Sequence, residues 1–205
     1  MKTLGLISLI LIILLMRQLV NIFPSLMACL IRWKENINLE SSVKLSRDRD
    51  ILTLAFIIPF CMTVNRFGLY ELKFMKGMGE FASFGVVFGI FFLYVTLRIL
   101  LTKILTPKRN NKRMYAIADK CANSYFIILT LLLLLTAGLL GFFDVPIEGI
   151  HDAMLWISGA TYLLYSIRKL QIFLSSYSIF TAFLYLCALD FIPTGALVAS
   201  AAFFR

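Results

Sequence analysis

Histidine is almost missing from this chain of 205 residues; the one present is His151. That removes the HExxH metalloprotease pattern, and no GxSxG elbow or Walker lysine loop stands in its place. Charge is scarce too, at 15% of residues, with 11 acids against 20 bases. The four cysteines, Cys29, Cys61, Cys121 and Cys187, include no CxxC and no close pair. Each lies in or beside an apolar run, so they read as small packing residues and fix no redox compartment. A metal centre needs three or four converging ligands, and the set His151, Asp144, Glu148 and Asp152 has the spacing of no metal motif. The expectation is therefore no catalytic set, no metal and no cofactor.

What the chain has in abundance is apolar surface. It is 60% hydrophobic and 14% aromatic, against roughly 45–50% apolar for a soluble domain. Crossing the ~30 Å of a bilayer core takes about 20 residues, and six runs reach that length. They cover about 3–22, 51–70, 81–105, 124–143, 149–167 and 172–192. The expected class is an all-α integral membrane protein with about six transmembrane helices in a single domain. Residues 34–50 and 106–123 read as polar cytoplasmic linkers. A short tail, 194–204, follows Pro193, whose ring removes a backbone donor and disfavours helix just before it. A bend or break is expected there.

Lysine and arginine divide unevenly between alternate loops. Arg32, Lys34, Lys44, Arg47, Arg49, Lys103, Lys108, Arg109, Lys112, Arg113, Lys120, Arg168 and Lys169 fall on one side. Lys2, Arg66, Lys73, Lys76 and Arg205 fall on the other. By the positive-inside rule the richer side is cytoplasmic, which leaves both termini outside. The net charge of +9 is explained by such loops without nucleic acid. The cluster Lys108, Arg109, Lys112 and Arg113 suits anionic lipid headgroups at about 1 kcal/mol per charge.

Local motifs are few. The start, Lys2 followed by an apolar stretch and Leu26-Met-Ala-Cys29, looks loosely like a secretion or lipoprotein signal. Arg17 and Pro24 interrupt it, which favours a retained first span running into an interfacial segment, 23–33. GMGEFA at 77–82 matches a dinucleotide pattern in letters only, because no strand is expected before it. Gly85 and Gly89 form a GxxxG in the third run, a pair of small residues that lets a second helix approach closely.

The residue that needs a reason is Asp190. Between Lys169 and Arg205 it is the only charged residue, and an acid in hydrocarbon costs about 2.5–3.5 kcal/mol on insertion scales. If the last helix starts near Ile172, Asp190 lies about 27 Å along it, near the outer edge of the core. Arg66 then becomes its expected partner, and Arg98 falls in the opposite leaflet. A structural ion pair is the first expectation, and a protonatable acid beside the Pro193 break is the alternative.

The same segment, Tyr185-Leu-Cys-Ala-Leu-Asp190 followed by Pro193, resembles the terminal signature YLCALE, two residues, proline. That signature marks an uncharacterised multi-pass inner-membrane family of the Bacteroidetes, a domain of unknown function. Tyr165, Arg168 and Lys169 also fit it, while Asp190 replaces the glutamate. The resemblance implies a bacterial inner-membrane location and an acid-proline element, and it carries no activity. The expected function is a non-enzymatic subunit of a membrane or envelope complex, with other membrane proteins or a second copy as partners. A small ion-coupled transporter using Asp190 is the alternative, and an intramembrane lipid-acting enzyme comes third.

Overall fold

The computed structural model describes residues 2–70, 72–75, 77–105, 112–175 and 177–203. Among these residues no strand occurs. The helices are α1 (Lys2–Ile31), α2 (Lys34–Ser41), α3 (Val43–Arg66), α4 (Glu80–Leu105), α5 (Lys112–Phe142), α6 (Ile147–Leu174), α7 (Ile179–Leu186) and α8 (Ile192–Phe203). A π turn, Cys187–Phe191, joins the last two. Among the described residues four stretches are long and apolar enough to cross a membrane: Ile10–Ile31, Glu80–Ile104, Met114–Phe142 and Ile179–Ala201.

Helices run past the apolar runs into sequence that reads as linker. The segment 34–50 holds α2 and the first two turns of α3, and α5 starts at Lys112 instead of near Ser124. Its 31 residues make a rod of about 46 Å at 1.5 Å per residue. The extra turns hold because their charges pair sideways with other helices. The expected interfacial segment 23–33 is likewise the end of one continuous α1, which passes through Pro24. GMGEFA follows a short 3₁₀ turn, Lys73–Met75, and opens α4, with Gly77 at a φ of +103° that favours glycine.

The spine is α5. It contributes Ile127 and Ile128 to a core with Ile22, Leu26, Leu39, Leu52 and Phe56. Further along it packs Tyr115, Ala118 and Cys121 against Phe173, Ala182 and Leu189, and Leu133 against Ile150 and Met154. The three fully packed cysteines, Cys29, Cys61 and Cys121, are buried free thiols, and Cys187 is a half-buried one. By contrast α4 leans on α3 and on the π turn with most of its surface bare. Only 6% of the residues in its most apolar stretch are buried.

Candidate functional site

Asp190 stands in the π turn, where the Ile192 N–H reaches back to the Cys187 carbonyl, a five-residue step. Pro193 follows, with no N–H to give. Such turns are rare, and they recur at functional sites because they displace a side chain from its helical position. Here the displaced side chain is a carboxylate that is 1% exposed.

Two helices, α6 and α4, bring polar groups to it. Lys169 of α6, also 1% exposed, brings its Nζ to 2.6 Å from Asp190 Oδ2. Tyr165, one turn earlier on the same face, donates its hydroxyl to Oδ1 at 2.8 Å. That hydroxyl oxygen in turn accepts from Lys169 Nζ at 3.1 Å and from Arg98 Nη2 of α4 at 2.8 Å. Arg98 Nη2 lies 3.4 Å from Asp190 Oδ1 and 3.7 Å from Asp119 Oδ1 of α5. Both side chains of the central ion pair are out of water, and Asp119 at 41% exposed is the member that reaches it.

Arg66 is not the partner. It ends α3 as an exposed residue against the Phe67 ring. Nearby Tyr70 bonds Ser200 at 2.7 Å, ten residues beyond Asp190 and so about 15 Å further along the helix axis. The physical reason is a displaced helix start. The segment around Ser175, Tyr177 and Ser178 ends α6 and lets α7 begin at Ile179. Asp190 therefore lies eleven residues into the last helix, about 16 Å, at the level where Arg98 and Lys169 approach the ends of α4 and α6.

A second charged network sits at the same end of the bundle. Arg49, 1% exposed, donates Nη2 to Glu40 Oε2 at 2.9 Å and to Ser46 Oγ at 3.1 Å, and holds Asp50 Oδ1 through Nε and Nη2 at 3.0 and 2.9 Å. Lys120 of α5 reaches Glu40 Oε1 at 2.8 Å and Asp50 Oδ2 at 3.6 Å. Arg168 donates to the Leu30 and Ile31 carbonyls, orphans at the end of α1. Asp119 and Lys120 are neighbours on α5, so the two networks share one turn of the spine.

Glu40 gives this network a pH signature. Burial pushes its carboxyl up, but the hydrogen bonds from Lys120 and Arg49 and their charges outweigh that, and hold it below the ordinary value near 4.5. A carboxyl depressed in the folded chain contributes stability that is present above its unfolded pKa and lost as pH falls through the folded one. Melting curves should show Glu40→Gln less stable than the parent at pH 6, with the gap closing progressively below about pH 4.5. A gap independent of pH would contradict the assignment.

The remaining sequence-derived residues are placed as follows. Tyr185 joins an aromatic cluster with Tyr115 at 5.2 Å, Tyr177 at 6.2 Å and Phe173 at 6.3 Å between ring centroids, and the cluster meets the ion pair through Phe173, whose ring lies 5.9 Å from Lys169 Nζ. A Cβ built on Gly85 or Gly89 would meet nothing within 4 Å. Lys108 and Arg109 lie outside the described residues, as do the side chains of Lys112 and Arg113. His151 Nδ1 lies 3.2 Å from Asp152 Oδ1 in the first turns of α6. Among the described residues no three of His, Cys, Asp or Glu converge as metal ligands would. Sequence reasoning counted Lys169 as a loop charge and set Arg98 aside. The available signal was the spacing of Tyr165 and Lys169, which at i and i+4 share one helix face.

Residues 3–200 match the family described as Domain of unknown function (DUF4271), so the chain belongs to it. No curated protein and no solved structure matches it.

Proposed function

We propose that this chain is a non-enzymatic, multi-pass component of a membrane complex in the bacterial inner membrane. In this reading α1, α3, α4, α5, α6 and the broken α7–α8 rod make six crossings, with both termini on the outer face. The basic ends of the helices lie in the cytoplasm, where Lys108, Arg109, Lys112 and Arg113 meet anionic lipid. The last helix is bent at the π turn, and its Asp190 pin holds the bundle's shape.

One observation carries the reading: the face of α4 away from α3 is exposed, with Val87 alone fully buried among its described residues, and the Gly85–Gly89 strip on it is open. Small residues on a membrane helix allow close approach of another helix. The charged groups that could do chemistry are instead bound to one another between helices. A double variant, Gly85→Leu with Gly89→Leu, enters open space and should change folding stability by no more than about 0.5 kcal/mol. Pull-down of the tagged chain from its native membrane in mild detergent should recover a stoichiometric partner with the parent and lose it with the double variant. Recovery of no partner with the parent, or equal recovery with both, would overturn the proposal.

A further inference from the structure

The Asp190 site holds two cations for one buried carboxylate. Arg98 and Lys169 both approach Asp190 at 3.4 and 2.6 Å, and the next acid, Asp119, touches only Arg98, at 3.7 Å. Stability alone does not demand this choice, because well-packed apolar residues of similar volume often do as well in a protein interior. Arg98 is also incompletely held. Every contact described above uses Nη2, and its buried Nε has no hydrogen-bond partner. The guanidinium thus sits between two carboxylates at nearly equal distances and is committed to neither.

We infer that Lys169 is a proton-binding site whose occupancy is set by the position of Arg98. Arginine keeps its charge in proteins, so when this crowded site gives up a charge the lysine is the one to do so. With Lys169 as ammonium, Asp190 is neutralised by it and hydrogen-bonded by Tyr165, and Arg98 moves toward Asp119. With Lys169 as a neutral amine, one proton has gone to water, Asp190 keeps its charge, and Arg98 moves fully onto it. Each proton bound or released therefore transfers one arginine between α5 and the π turn.

The groups facing Lys169 and Asp190 are consistent with this exchange. From α4 comes Arg98, with Tyr94 beside Arg98; from α5 come Asp119 and Cys121, and from α6 Tyr162 and Tyr165. Asp119, at 41% exposed, opens the cluster to the polar end. Asp190 itself stands on a π turn just ahead of a proline. This inference goes beyond the subunit reading and is independent of whether a partner binds α4.

The test is nitrogen-15 NMR of the lysine side chains of the full chain in detergent, with Lys169 assigned by its loss in Lys169→Arg. The Lys169 Nζ signal should change with pH while the protein stays folded. Asp119→Asn removes the competing acid, leaves Arg98 on Asp190, and should move that midpoint to lower pH by about one unit or more. Arg98→Gln should move it upward. A Lys169 signal that does not change, or a midpoint unmoved in Asp119→Asn, would overturn the inference. Asp119 is half-exposed, so its variant remains informative if the Arg98 variant fails to fold.

Discussion

Asp190→Asn should destabilise the folded chain by about 3–5 kcal/mol, the cost of removing one member of a buried ion pair. The substitution keeps the shape and leaves two cations, Arg98 and Lys169, facing an amide in a site with 1% exposure. Arg98 can turn to Asp119, but among the described residues Lys169 forms no ion pair with a second acid. The measurement is unfolding by sodium dodecyl sulfate in mixed micelles, followed by circular dichroism. The partner variant Lys169→Met should cost less, because Arg98 and the Tyr165 hydroxyl still satisfy the carboxylate. An order reversed from this would mean that the lysine, not the acid, organises the site.

The second large effect is at Arg49. Its side chain is 2% exposed and holds Glu40, Asp50 and Ser46 together, tying α2 to the start of α3. Arg49→Met fills similar space and removes several charge-assisted bonds, each worth about 1.5–3 kcal/mol. The expected loss in the same unfolding assay is about 2–3 kcal/mol in total, because Lys120 and water remain available to both acids. Lys120→Met, with a side chain 36% exposed, should cost under about 1 kcal/mol. Equal losses from the two substitutions would show that burial does not govern this network.

These residues also show where sequence reading stops. The apolar runs, the all-helical class, the packed cysteines and the oddity of a lone acid at Asp190 are visible in the letters, because hydrophobic length and a lone acid in it are one-dimensional signals. The partner of Asp190 is not, since its depth depends on where the helix begins. Moving that start from Ile172 to Ile179 shifts the acid by about 10 Å, enough to exchange Arg66 for Arg98. Counting basic residues by loop hides a second fact: Arg49 and Lys169 are among the most buried side chains of the molecule. A charge count sees the sign and the position in the chain, and it does not see which of those charges folding takes out of water.

The central claim is that Asp190 fixes the broken last helix to α6 through Lys169. The measurement that tests it most directly is a pair of double-mutant cycles on unfolding stability, Asp190→Asn with Lys169→Met and Asp190→Asn with Arg66→Gln. The account predicts a coupling of about 1–3 kcal/mol in the first cycle and additivity within about 0.5 kcal/mol in the second. Additivity in the first cycle, or coupling in the second, would contradict it.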